Sequence, residues 1–359
     1  MPTIRQYRFV STSYPAPHPL ATPPGGGSGT FLGMVRHFAA VVTIWTAATL
    51  DPMNRICATL LALCLFASRG VAEVSTTRPM PGIALECDLQ TDPPMRFYVV
   101  TVDLTNPRIH LKVSRAGDWQ HLPRPWEAAL MPVSEMADRD GLSVAVNGNL
   151  FACHGFESIL GIRIPYFRGN WARACGWAMS DGVLFSGSPM DRDWPSLVVN
   201  DRGNIAIGRF QRVPIDARQI VSGIWQIVTD GRITVGSGSA RSTELAPHTA
   251  AGIDRDGKSL ILLVVDGRRP AHSAGMSWQQ ISREMIARGA WNALLLDGGG
   301  SSTLVMRNQQ GKADVVNLPS DGHDLPVALS VPRSVADAFG VVIDDAATRP
   351  DIVIHPGQP

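Results

Sequence analysis

Residues 259–265 read SLILLVV, seven positions without a charge, and the run ends at Asp266-Gly267-Arg268. A segment so short and so uniformly apolar is buried on both faces, which places it at the centre of a sheet. Residues 293–296 (ALLL) repeat the pattern and end at Asp297, followed by Gly298, Gly299, Gly300, Ser301, Ser302 and Thr303. A chain carrying both runs must fold around a covered sheet, with an aspartate and open backbone at the end of each core strand. In open α/β sheets ligands bind beyond the carboxyl ends of the strands. As parallel neighbours, these two strands would bring Asp266 and Asp297 to one rim.

Between the two runs, residues 277–288 have helical spacing behind a Ser277 cap. Strand, helix and strand in that order predict an α/β (mixed α+β) fold: a mixed sheet with flanking helices, in a single mature domain. Upstream, residues 95–104 (MRFYVVTVDL) and 109–114 read as strands. Residues 125–139 read as a helix with Trp126, Leu130, Val133 and Met136 on one face. Pro132 kinks that helix or delays its start, and Gly141 stops it. Residues 142–146 form a short buried strand ending at Asn147-Gly148-Asn149. Residues 152–222 read as short strands with long loops. Residues 223–229 and 232–235 read as a hairpin about Asp230-Gly231.

The N-terminal fifth has a different character. Residues 1–33 are rich in Pro, Gly and Ser and cannot bury a core. Residues 1–52 are read as a disordered or over-long extension, with translation starting at Met34 or Met53. Residues 53–72 have signal-peptide anatomy: Met53-Asn54-Arg55, an apolar stretch, and Gly70-Val71-Ala72 at the cleavage site. The remaining boundaries are a domain at 73–345 and a tail at 346–359. No stable membrane span is expected after cleavage, and the location is periplasmic or secreted. Net charge is +1 among 359 residues, so nothing draws the chain to nucleic acid. In an oxidising compartment, Cys153 and Cys175 are a candidate disulfide pair with Cys87 spare. Three buried free thiols are the alternative.

The chemistry should lie after the two core strands. Two carboxylates at one site are the equipment for glycoside cleavage. An isolated Asp-Gly is usually a turn, but two on successive core strands point to a site. Three consecutive glycines let backbone approach a ligand, and their N–H groups can form an anion nest, with Ser301, Ser302 and Thr303 adding hydroxyls. A flexible hairpin loop is the bland alternative. The segment is neither a P-loop, since no lysine follows the glycines, nor a GxSxG elbow. Arg268 and Arg333 are candidates for bidentate phosphate binding. Asn147 could orient a sugar hydroxyl. The histidines at 154, 248, 272 and 323 show no metal-ligand spacing. No cofactor is expected, and a structural calcium is left open.

The stretches AAGIDRDGKSLILLVVDGR, HSAGMSW, ARGAWNALLLDGGGSSTLV, VVNLPSDG and PRSV, with AVNGNLF upstream, resemble the phosphodiester glycosidase family. The resemblance runs from about residue 81 to 343 and is most specific at DGGGSST. It implies an exported hydrolase that cleaves a bond between an anomeric carbon and phosphate, with glycan or exopolysaccharide-type diesters as substrates. It marks Asn147, Asp266, Arg268, Ser273, Asp297, Gly298, Gly299, Gly300, Ser301, Ser302, Thr303, Asn317 and Arg333. In our reading of these positions, Asp297 and Asp266 carry the acid–base or nucleophilic work and the others bind substrate. The chain departs from the family pattern at His248, Gln280 and Leu295, where Arg, Glu and Asn are usual. Two other readings stand beside this one: a non-catalytic (phospho)glycan-binding protein using the same pocket, and a serine hydrolase using Ser301 or Ser302.

Overall fold

The computed structural model describes residues 73–344 except 118–119, 156, 160–161, 165, 188–192, 237–239 and 322–329. The expected extension, signal peptide and tail, with Cys57, Cys64 and His323, lie outside the described residues. In chain order the strands of the two main sheets are β1 (Glu73–Met80), β2 (Ile83–Thr91), β3 (Pro94–Asp103), β4 (Ile109–Arg115), β5 (Val144–Asn147), β6 (Trp225–Thr229), β7 (Arg232–Ile233), β8 (His248–Ile253), β9 (Ser259–Val265), β10 (Asn292–Leu295), β11 (Leu304–Arg307), β12 (Ala313–Val315) and β13 (Asp337–Ile343). The larger sheet has the order β1-β2-β3-β9-β8-β10-β6-β7, and the second has β12-β11-β5-β13-β4. A third, five-stranded sheet is built from residues 178–222. The two helices of eight residues or more among the described residues are α1 (Val133–Asp140) and α2 (Trp278–Ala287).

The apolar run at 259–265 is the central strand its composition demands. Leu260, Leu262 and Val264 enter the layer between the sheets, where they meet Val146, Leu304 and Phe339 of the second sheet and Leu197 and Val221 of the third. Ile261, Leu263 and Val265 enter the opposite layer, covered by Trp278, Ile281 and Met285 of α2. Each such fully buried side chain contributes about 1.5–3 kcal/mol of hydrophobic stabilisation. α1 covers the outer face of the second sheet through Val133, Met136 and Ala137.

This is a sheet-rich fold, and the expected α/β arrangement with flanking helices is not what forms. All strand pairings among the described residues are antiparallel. β9 and β10 do run parallel and are joined through α2, but β8 lies between them, antiparallel to both. The reason is local. Asp254 Oδ1 accepts the N–H groups of Lys258 and Ser259 at 2.7 and 3.0 Å, closing a tight turn that folds β8 onto β9 before the chain crosses. The inner face of the sheet is covered by other sheets, so only single helices are needed outside.

The helix expected at 125–139 begins only at Val133. Pro132 caps it in extended geometry (ψ 144°), and residues 128–132 form short strand bridges instead. Proline has no N–H for a helix interior and pushes the preceding residue to extended geometry. Gly141 ends the helix in left-handed conformation (φ 71°), as its position requires. α2 has the Ser277 cap: Ser277 Oγ accepts the Gln280 N–H, and Gln280 Oε1 accepts the Ser277 N–H at 2.8 Å. Gln280 therefore completes a capping box as well as a glutamate would.

Candidate active site

The chain leaves the first sheet at Leu295 and joins the second at Leu304, so the glycine–serine segment is the crossing between them. Asp266 and Asp297 lie at the same edge, because β9 and β10 share a direction. With one strand between them, their backbones are about 10 Å apart, two strand spacings of about 4.8 Å. They are therefore on one rim, though not on adjacent strands.

Asp266 is 1 % exposed. Its Oδ1 accepts the Asn317 side-chain amide and the Leu318 N–H, each at 3.0 Å, and its Oδ2 faces His272 Nε2 at 2.9 Å. Burial raises its pKa, and the His272 and Asn317 hydrogen bonds oppose that rise. Ser273 Oγ donates to the Asp266 carbonyl at 2.7 Å and accepts the Arg96 N–H at 3.1 Å. Asn317 also donates to the Ser302 carbonyl at 3.0 Å, which ties the Asp266 cluster to the glycine–serine crossing.

Asp297 is 7 % exposed. Its Oδ1 accepts the Gly298 N–H at 2.9 Å. Burial raises its pKa, while the Ser301 hydroxyl, the Arg333 charge and the Gly298 N–H favour its ionised form. Arg333 lies with its guanidinium 3.8 Å from the centre of the Tyr166 ring. It makes a bidentate pair with Asp321 at 2.7 and 2.8 Å, and Nη1 lies 3.4 Å from Ser301 Oγ. Gly300 passes so close that a Cβ there would overlap the Asp321 carboxylate and the Arg333 guanidinium.

Arg268 is the cation left over. It is exposed, and among the described residues it has no acidic partner. Its backbone is left-handed (φ 58°), an uncommon and strained geometry for a side chain of this size. A Cβ at Gly299 (φ 64°) would lie 3.0 Å from Arg268 Nη1, so the guanidinium lies over the glycine backbone. His248, at the start of the strand between the two aspartates, sets its Nδ1 3.2 Å from where a Gly298 Cβ would be. Burial and the Arg268 charge hold its pKa down to about 4, so the ring is neutral.

All the residues marked in the sequence fall into this one connected cluster, but not all can reach a ligand. Asn147 is sealed. Its amide donates to the Asp297 carbonyl at 2.7 Å, and its Oδ1 accepts from the Thr249 hydroxyl and the Thr303 N–H at 2.7 and 3.2 Å. It fixes the Asp297 backbone and is not placed to orient a sugar. Ser273, Ser302, Thr303 and Asn317 are likewise buried. Nor is the crossing a row of bare amides. The N–H groups of Gly298, Gly299, Ser301, Ser302 and Thr303 are already paired, with Asp297 Oδ1, Pro247 O, Gly298 O, Gly299 O and Asn147 Oδ1. Arg333, with its fork on Asp321, is not free for a second bidentate partner.

The sequence reading missed Asp321, Tyr166, Thr249 and Asp337, and gave no role to His248 or His272. Asp321 and His272 do lie inside the VVNLPSDG and HSAGMSW stretches, the one signal that could have found them. No disulfide joins Cys153 to Cys175. Cys153 stands opposite Ala172 in its ladder, and Cys175 lies three residues further on, donating to the Leu150 carbonyl. Three residues of strand span about 10 Å, beyond the roughly 7 Å that a disulfide bridges between Cα atoms. Among the described residues, no group of three or more His, Cys, Asp or Glu side chains converges as metal ligands.

The model of the phosphodiester glycosidase family matches residues 140–342, more than half of the chain and the whole of this cluster. The chain belongs to the phosphodiester glycosidase family. N-acetylglucosamine-1-phosphodiester alpha-N-acetylglucosaminidase of Bos taurus is 26% identical over 207 residues, 53% of this chain. The matched region covers 35% of that relative, so this chain spans about a third of its length. Two solved structures share the fold. The zebrafish N-acetylglucosamine-1-phosphodiester alpha-N-acetylglucosaminidase catalytic domain, auto-inhibited by its pro-peptide, aligns with TM-score 0.54 at 20% identity, covering 77% of this chain and 83% of that one. A hypothetical protein from Synechocystis aligns with TM-score 0.51 at 17% identity, covering 76% and 64%.

Proposed function

We propose that this phosphodiester glycosidase hydrolyses the bond between an anomeric carbon and phosphate in a glycosyl phosphodiester. The observation that carries the reading is the exposed Arg268 lying over the Gly299 backbone, on the same rim as the hydrogen-bonded Asp297 and the His272–Asp266 pair. The chemistry asks for this division. When the C1–O bond breaks, its electron pair leaves on a phosphate monoester, which needs cations and N–H donors more than a strong acid. Arg268 supplies the positive side, and His272, oriented by Asp266, lies on the same rim. Asp297 is the carboxylate that takes a proton from the attacking water or attacks C1 itself. Asn147 holds the Asp297 backbone in place, and the Arg333 charge favours the ionised carboxylate.

The reading extends to location and substrate. The signal-peptide pattern at residues 53–72 supports export to the periplasm or beyond, where glycan and exopolysaccharide diesters are the accessible substrates. No helix among the described residues is long and apolar enough to cross a membrane.

The test is Asp297→Asn assayed on a methyl diester of N-acetylglucosamine-1-phosphate. We expect kcat/KM to fall by about 10²-fold or more with the fold intact by circular dichroism. Unchanged turnover would end the assignment of Asp297. The near-complete internal bonding of Asp266 favours one other reading, a phosphoglycan-binding protein without turnover. Saturable binding of the diester with no phosphate monoester released would establish that reading instead.

A further inference from the structure

Asp337 opens β13 and is completely buried. Its Oδ1 accepts the Asn149 N–H at 2.8 Å, and its Oδ2 has no partner. Gly148 lies against it so tightly that a Cβ there would overlap Asp337 Oδ1. The same residue is held at both of its backbone groups. Its N–H donates to the Asp337 carbonyl, and its own carbonyl accepts the Asp297 N–H, each at 3.0 Å. Asn149, next in the chain, is locked by its side chain, which donates to Cys175 O and accepts the Ser222 N–H. One rigid turn therefore joins two buried carboxylates that come from different sheets.

Each of these two carboxylates is within electrostatic reach of the other. Asp297 is the one charged group that acts on Asp337 among the described residues. Arg115, its register partner on β4, turns away: Nε donates to the Glu127 carbonyl and the guanidinium lies 5.0 Å from the centre of the Phe185 ring. β5 presents the neutral Asn147 on the other side. Asp297 is itself acted on by the Arg333 and Asp321 charges. Two coupled carboxylates buried this deeply do not both ionise near neutrality. Asp297 receives an N–H, a hydroxyl and the Arg333 charge, whereas Asp337 receives a single N–H. The charge therefore settles on Asp297 and the proton on Asp337.

We propose that Asp337 is a positioning residue acting through Asp297: it anchors the Gly148 turn by Oδ1 and holds a proton on the otherwise unpartnered Oδ2, which leaves Asp297 as the ionised member of the pair. Burial, opposed by the Asn149 N–H and assisted by the Asp297 charge, holds its pKa up to about 7. Loss of that proton puts a second negative charge behind the site. That charge repels an anionic diester, so activity declines on the alkaline side of neutrality. The proposal rests on the reading of Asp297 as the reacting carboxylate.

Two readouts test it on the whole protein. One is the pH profile of kcat/KM on the methyl diester. The other is the infrared C=O stretch of a protonated carboxylic acid, followed by pH titration, which does not depend on activity. Asp337→Asn preserves shape and neutrality, so we expect the acid limb to remain while the alkaline limb and one acid C=O band disappear. Asp297→Asn, which removes the neighbouring charge, should lower the titration midpoint of the Asp337 band by about one pH unit or more. A wild-type protein with no such band at pH 6, an unmoved midpoint in Asp297→Asn, or an unmoved alkaline limb in a folded Asp337→Asn would each overturn the proposal. If Asp337→Asn does not fold, the Asp297→Asn titration still decides it. Full activity in Asp297→Asn would overturn the catalytic reading, while the infrared midpoint would separately decide the coupling.

Discussion

His248 offers a quantitative test of how the site rim is built. The ring sits at the start of β8, 8 % exposed, with Nε2 unpartnered and the Arg268 charge nearby. Burial and then that charge lower its pKa from 6.5 to about 4, against a smaller opposing pull from the Met276 backbone. In the unfolded chain the ring takes up a proton near pH 6.5; in the folded chain it does so only near 4. Between those values the unfolded state binds more protons, so acid favours unfolding. The stabilisation is fully present above about pH 6.5, falls as the pH drops through the window, and is gone below about 4. A depression of about 2.5 pH units, at about 1.4 kcal/mol each, makes the loss roughly 3 kcal/mol. His248→Gln is neutral throughout and lacks this term. Urea denaturation of both proteins at pH 7.5, 6, 5 and 4 isolates it, because Asp266, Asp297 and Asp337, whose raised pKa values act in the opposite sense, titrate in both. The stability advantage of wild type over variant should shrink by roughly 3 kcal/mol from pH 7.5 to 4. A difference that stays constant with pH would refute the burial and charge argument for this ring.

Two further outcomes are expected. Gly300→Ala inserts a Cβ into the Arg333–Asp321 pair, so it should cost about 1–3 kcal/mol in thermal or urea unfolding and lower kcat/KM, with both measured on the same preparation. Arg268→Ala removes an exposed cation with no acidic partner among the described residues, so the melting temperature should hardly change. Inhibition by inorganic phosphate should weaken by about tenfold or more, which a competition assay on the diester reads directly.

Much of the frame was legible in the residues. The run at 259–265 had no charged side chain to offer solvent on either face, so it had to be a covered central strand. Ser277, Gly141 and Asp230-Gly231 each declared a cap or a turn, because their preferred backbone geometries are local properties. The α/β expectation failed where locality ends. The strand–helix–strand order of β9, α2 and β10 carries no mark of the hairpin partner that inserts between the two strands. Nor does it show that sheets, not helices, cover the inner face. The helix expected at 125–139 starts only at Val133, the delayed start that Pro132 allowed, because proline has no N–H for a helix interior.

The candidate site divides in the same way. The residue types at the ends of β9 and β10 already declared that Asp266, Asp297 and the triple glycine gather at one rim of the sheet. What each does was decided by neighbours far apart in the chain. Asn147 is spent on Asp297, 150 positions away. Arg333 is engaged by Asp321, while Arg268 has no acidic partner among the described residues. Asp337 meets Asp297 across the Gly148 turn. Sequence determines which backbone conformations and which faces are available, since those depend on a few adjacent residues. Hydrogen-bond commitment, burial and the sharing of charge depend on which atoms end up within a few ångströms, and only the packing of the sheets settles that.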